Sequence, residues 1–287
     1  MNTIINPKKI IICADDFAQN DDITQGIITL CQKKKLSATS CMTNSHHWPA
    51  HALLLNSLHD IDKGVHLNLT HGVPLSERLK RQITDKPLSL IGLIKKIGLQ
   101  QITSNMLEEE IRLQLESFEK HTHKVPNFID GHQHVHHLPI IRHALLKIYK
   151  EKYQSLSYID KPYLRVSSSH ATLTESFWLK KKIIQWLGSE HLKKQLILNN
   201  IPFNTHFCGV YPFTKQQTYP AVISSVLASI KDQSLLMCHP ALKSVDPEDP
   251  ISPYRYKEYQ FFLSNDFQKI CIENNLQISR FERATRL

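Results

Sequence analysis

Residues 9–16 read KIIICADD, and the fold turns on this stretch. Ile10 to Ala14 is an unbroken apolar run, so a strand here has no face to give to water. Such a strand must be covered on both sides, which is the condition of a parallel sheet sandwiched by helices. The run then ends in two acids, Asp15 and Asp16. Working outward, SATSCMT (37–43), DKGVHLNLT (62–70), PNFIDGHQH (126–134), YLRVSSS (163–169), FNTHFCGV (203–210), SLLMCHP (234–240) and LQISRF (276–281) share this strand character. Helical patterns lie between them. Asp21 and Asp22 read as the cap of a helix with Ile23, Ile27 and Leu30 on one face. Residues 105–119 form the clearest helix, with a stripe of Leu107, Ile111, Leu115 and Phe118 and a Glu108–Arg112 pair at i, i+4. Pro139 opens another, and more are expected near 174–197, 214–230 and 256–273. Repeated strand–helix units predict a parallel sheet. Seven or eight strands in 287 residues predict an α/β protein, a TIM-like (β/α) barrel with seven rather than eight strands admitted, as a single domain over 1–287. No Gly-rich phosphate loop follows the first strand, which argues against a nucleotide-binding sheet. Residues 76–104 and 241–256 read as long loops at one end of the barrel, either carrying function or being tolerated surface insertions.

Composition narrows the function classes. With 41% hydrophobic and 21% charged residues the chain has the profile of a soluble globular protein. The net charge of +9 is spread along the chain and not interleaved with aromatics, so no nucleic acid is expected. Cys13, Cys31, Cys41, Cys208, Cys238 and Cys271 form no C-x-x-C pair and read as reduced thiols. No stretch approaches the length of a membrane span, and MNTIINPKKIIICADD has no apolar signal core before its first charges, so cytoplasm is the expected location.

Histidine is the outlier, with 17 copies that cluster. Residues 127–140, NFIDGHQHVHHLPI, hold Asp130, His132, His134 and His136 at alternate positions, so they share a face for as long as the strand lasts. His137 falls on the other face, where the turn is expected to start. Three imidazoles on one face need polar partners, whether metal, substrate or carboxylate. Asp15, Asp16, His66, Asp130, His132, Arg165 and His239 all lie in or at the ends of predicted strands, and in an α/β barrel those ends converge on one mouth. Each residue also has a plain structural reading. A strand-end Asp caps turns, a strand His is usually a hydrogen-bonded core group, and Cys238-His239-Pro240 suits a buried turn. Two imidazoles with one carboxylate make a hydrolytic metal site, a second carboxylate can accept the proton of a bound water, and His239 can protonate a leaving group. Arg165 either orients the base carboxylate or balances the acids. His46, His47, His51, His59, His71, His121, His123 and His143 read as surface or loop residues.

Taken together, ADDFAQN, GVHLNLTHGVPL, FIDGHQHVHHLP and LLMCHPA resemble the YdjC-like carbohydrate deacetylases, the group of chito-oligosaccharide deacetylase and HpnK. The match runs from about residue 9 to 260, in the family's order, and RYKEY (255–259) fits its late Arg-x-x-Glu feature. The resemblance implies a barrel-like (β/α) fold and removal of an acetyl group from an N-acetylated amino sugar. It implies a divalent metal, magnesium rather than zinc by family analogy, held by Asp16, His66 and His132. Asp15 would be the general base and His239 the acid, with Arg165 a softer match. His134 and His136 would contact substrate. A homodimer is the family's expectation. One departure stands out: Ala18 occupies the position after ADDF where the family usually has Gly. Two other readings stay open, a metal-dependent hydrolase of another amide or phosphoester, and a sugar-binding barrel without turnover. Acetate release separates the three.

Overall fold

Each strand of this chain alternates between two apolar environments, and that alternation builds a barrel. The structure, a computed structural model, describes residues 6–83, 88–168, 188–211, 213, 218–243 and 249–283. Seven parallel strands, β1 (Lys8–Phe17), β2 (Ala38–Cys41), β3 (Asp62–Leu67), β4 (Phe128–Gly131), β5 (Tyr163–Leu164), β6 (His206–Cys208) and β7 (Ser234–Cys238), lie in the order β5-β4-β3-β2-β1-β7-β6. This is the α/β barrel that the repeated strand–helix units predict. β8 (Leu276–Ile278) runs parallel to the first three residues of β1. Ser169 and the starts of the helices expected from 174 and 214 lie outside the described residues.

In β1, Ile10, Ile12 and Ala14 point outward into the large core beneath the helices, while Ile11 and Cys13 point inward. Ala38, Phe128, Tyr163, Phe207, Leu235 and Met237 join them to fill the interior, with Phe281 packed below. The interior is tight: a methyl group on Gly64 would sit 2.5 Å from the Phe128 ring, which occupies that space. One strand step further along, the inward positions change chemistry. Asp15 follows Cys13, Ser40 follows Ala38, His66 follows Gly64, Asp130 follows Phe128 and Arg165 follows Tyr163. An ionic layer therefore sits on an apolar floor, at the carboxyl ends of the strands.

The two ends of the strand path meet through one backbone bridge, Leu164 to Phe203, and a side chain. The Leu164 N–H donates to the Pro202 carbonyl at 2.9 Å. Beyond it the Asn204 amide stands in for a strand, accepting from the Val166 N–H at 2.8 Å and donating to the Val166 carbonyl at 2.9 Å.

Several local expectations change. The helix Asp21–Gln32 is capped by Asn20, whose side chain accepts from the Ile23 N–H, and Asp21 and Asp22 fill its first turn, where carboxylates suit the helix dipole. Glu108 and Arg112, on the helix Ser104–Thr122, do not pair with each other. Glu108 binds Lys147 at 2.5 Å and Arg112 binds Glu151, so both reach across to the helix Pro139–Tyr153. The stretch 76–104 is not irregular throughout. It holds the helices Glu77–Lys80 and Leu90–Gly98, each started by a serine cap, Ser76 and Ser89. A helix at Trp48–Asn56 carries His51, one of the histidines that the sequence reads as a surface or loop residue. Among the described residues no helix is long and apolar enough to cross a membrane.

Candidate active site

The site is built by the ionic layer plus two breaks in regular backbone. At the end of β1 the register slips between Ala14 and Phe17, and Asp16 takes a left-handed conformation (φ 69°). Strand alternation alone sends Asp15 and Asp16 to opposite faces; the slip lets both reach the mouth. Ala18 is left-handed as well, at φ 71°. The position that the family usually fills with Gly therefore needs positive φ here, at a cost of about 1 kcal/mol for an alanine. Its N–H donates to the Thr24 hydroxyl at 3.1 Å, which helps hold the turn.

The second break corrects the reading of 126–134. β4 stops at Gly131, and His132–His137 form a kinked 3-10 turn with Gln133 and His134 both left-handed. Alternation beyond Asp130 is lost, so the three imidazoles do not share a face. His132 turns toward Asp16. His134, partly buried, meets the Ser167 hydroxyl through Nδ1 at 3.1 Å. His136 is fully buried and its Nε2–H donates to the Arg165 carbonyl at 2.9 Å, a place in the wall with no surface open to a substrate. Burial pushes His136 down to about 4, against the pull of Asp130. His137 is buried too, and His51, read as a surface residue, is buried between the helices Asp21–Gln32 and Trp48–Asn56.

Ligand atoms of Asp16, His66 and His132 all lie within 4.8 Å of one another. Asp16 Oδ1 is 3.3 Å from His66 Nε2 and 3.0 Å from His132 Nδ1. Its other oxygen accepts from Arg255 at 2.8 Å, and Arg255 is clamped from behind by Asp249 at 2.6 Å. Burial raises the Asp16 carboxyl, but Arg255 and His132 outweigh it and hold the group well below the usual carboxylate range. His66 is oriented by Asp130, which accepts from Nδ1 at 2.6 Å and from the Ser40 hydroxyl at 2.5 Å. This arrangement fixes the ring and turns Nε2 to the site, as outer carboxylates do for ligating histidines. Burial opposes charge on His66, yet Asp130 and Asp15 prevail and raise it to about 10. Arg165 donates to both oxygens of Asp15, at 2.7 and 2.6 Å, and also binds Asp130. Asp15 Oδ2 stands 4.0 Å from His66 Nε2.

The charges do not balance within the protein frame. Four buried carboxylates, Asp15, Asp16, Asp130 and Asp249, face two guanidinium groups, Arg165 and Arg255. The cluster needs further positive charge, either an imidazolium or a cation. Two nitrogen donors and a free carboxylate oxygen at one point suit a divalent ion.

His239 lies past the end of β7. Its N–H donates to Glu258 at 2.5 Å, and Glu258 also accepts from the Tyr211 hydroxyl at 2.6 Å. Its Nδ1 is buried and has no hydrogen-bond partner among the described residues. Arg255 and Glu258 enter the sequence reading only as a family feature, and Asp130 has no role assigned there. Their signal was the i, i+3 spacing that puts Arg255 and Glu258 on one helix face, and the inward register shared by His66 and Asp130.

Glu258 offers a test. Burial, against hydrogen bonds from His239 and Tyr211, pushes its carboxyl up from 4.5 to about 7. A raised carboxyl stabilises the fold fully below pH 4.5 and loses that contribution as pH rises through 7. Glu258→Gln keeps an acceptor for the His239 N–H and cannot ionise. Thermal melts from pH 5 to 8.5 are expected to show native stability falling relative to the variant as pH rises. Parallel curves would rule out the raised carboxyl.

The fold and this mouth define a (β/α) barrel protein with an ionic pocket at the carboxyl ends of its strands. More narrowly, the chain belongs to the YdjC-like family, whose model matches residues 9–273. A carbohydrate deacetylase of Danio rerio is 29% identical over 147 residues, 49% of this chain and 46% of that protein. A chitooligosaccharide deacetylase of Yersinia pestis (strain Pestoides F) is 31% identical over 146 residues, 50% of this chain and 57% of that protein. The match thus spans about half the length of these relatives. A solved structure from Enterococcus faecalis V583, described as a candidate cellobiose-phosphate cleavage protein, has the same fold. Its TM-score is 0.67 at 19% identity, over 96% of this chain and 98% of that chain.

Proposed function

We propose that the chain is a carbohydrate deacetylase, a hydrolase that removes the acetyl group from an N-acetylated amino sugar or oligosaccharide with a divalent ion held by Asp16, His66 and His132. The observation that carries this reading is the convergence of those three residues beside the Arg165-bound Asp15, in a YdjC-like chain. The deacetylase names of the Danio and Yersinia relatives support the substrate class. Mixed nitrogen and oxygen donors admit magnesium or zinc, and magnesium is the ion carried over from the family.

A divalent ion bound there would supply the Lewis acidity that polarises the acetamide carbonyl and an adjacent water. Asp15, with both oxygens aligned by Arg165, takes a proton from the attacking water. The acyl C–N bond breaks as the sugar nitrogen gains a proton, releasing acetate and the free amine. His239 is the donor in this reading. Burial outweighs the pull of Asp16 and Asp15 and holds its imidazole at about 4, so it rests neutral. It therefore acts as an acid only after the proton that Asp15 takes from water has been passed on to it. His134, on the kinked turn, is the remaining candidate for substrate contact.

The test joins metal analysis of the purified protein to acetate release from chitobiose-type substrates, run beside a phosphoester panel. Acetate release that chelation abolishes and a divalent ion restores is the expected result. Release unaffected by chelation would remove the metal from the reading, and phosphoester turnover without acetate would replace it.

A further inference from the structure

We propose a second cation site, built by Asp21, His47 and His51, that takes a borderline divalent ion such as zinc and clips the start of the helix Asp21–Gln32 to the start of the helix Trp48–Asn56. One ligand atom from each of the three residues lies within 4.8 Å of the others. His51 Nε2 is 2.8 Å from Asp21 Oδ1, and His47 Nδ1 is 3.7 Å from the same oxygen. The second distance is too long for a hydrogen bond. It is close to the separation of about 3.4 Å expected between two donors held about 2.1 Å from one tetrahedral ion.

The ligands are set up by their own elements. His47 caps its helix and His51 stands four residues on, so both rings share a face and lie nearly parallel, 13° apart with centroids at 5.2 Å. His51 Nδ1 is fixed by the Thr24 hydroxyl at 2.9 Å, the outer contact that orients a ligating imidazole. Asp21 is held in the first turn behind the Asn20 cap. It is exposed, which leaves a side of the ion open to water. Two imidazole nitrogens with one carboxylate suit zinc, cobalt, nickel or copper, as the same donor set does at the mouth. None of the three residues belongs to the barrel mouth. Thr24 also accepts from the Ala18 N–H, so an ion here would brace the turn that carries Asp16.

The experiment titrates zinc alone into metal-stripped native protein, His47→Ala and Asp21→Asn, with calorimetry for stoichiometry and circular dichroism to confirm folding. Each variant is expected to bind one equivalent fewer than the native chain, or to bind it at least tenfold more weakly, and to lose part of the zinc-induced rise in Tm. Reading the result as a difference keeps it independent of whatever the mouth binds. Equal stoichiometry in all three proteins overturns the site. Loss in His47→Ala with retention in Asp21→Asn also overturns it, because that pattern is adventitious chelation by neighbouring imidazoles. If His47→Ala fails to fold, Asp21→Asn decides alone.

Discussion

Replacing Arg165 by methionine is expected to lower the unfolding free energy by about 3–5 kcal/mol, because it strands two buried carboxylates at once. Arg165 is fully buried and is the shared partner of Asp15 and Asp130. Both carboxylates are buried above the apolar floor of Phe128 and Cys13, where solvation is poor. Burial pushes the Asp130 carboxyl up, and Arg165 followed by His66 pulls it well below its ordinary range, so losing the guanidinium leaves that burial cost uncompensated. Urea unfolding at pH 7 measures the effect. Combining Arg165→Met with Asp15→Asn is expected to return part of the loss, since one stranded charge is then gone. A single variant as stable as the native chain would mean that the layer is not the closed ionic unit described here.

His132→Ala is expected to do the opposite, sparing the fold and removing the ion. His132 is partly exposed at the mouth and Arg255 stays on Asp16, so its loss is expected to cost far less stability than that of Arg165. Losing an outer partner such as Asp130 typically costs about 10–100-fold in metal affinity. Removing a ligand outright is therefore expected to cost more than Asp130→Asn, with acetate release falling in step. Metal analysis after dialysis, together with turnover, checks both. Full metal occupancy in His132→Ala would overturn the ligand assignment, whatever happens to activity.

The contrast between these two variants follows how the chain can be read. Strand character is local, so KIIICADD, GVHL and FID already show buried strands whose carboxyl ends carry polar and charged residues. The parallel barrel and the gathering of Asp15, His66, Asp130 and Arg165 were legible for that reason. Alternation stops carrying information where the backbone leaves the strand. Gln133 and His134 turn left-handed, His136 goes into the wall, and Asp16 is swung toward the mouth by a register slip. Positive φ at non-glycine residues is a tertiary compromise that no spacing announces. The helices within 76–104 and at Trp48–Asn56 were missed because, at four to nine residues, they are too short for a helical period to stand out.

By itself the sequence determined the sheet, the polarity switch along its strands, and the residue types available at the mouth, because these depend on neighbours one or two positions away. Only the tertiary structure decided the pairings: Arg255 on Asp16, Glu258 on the His239 backbone, His51 on Thr24 and Asp21. Such contacts join groups up to 239 positions apart, and a buried charge takes whichever partner the packed chain brings within reach.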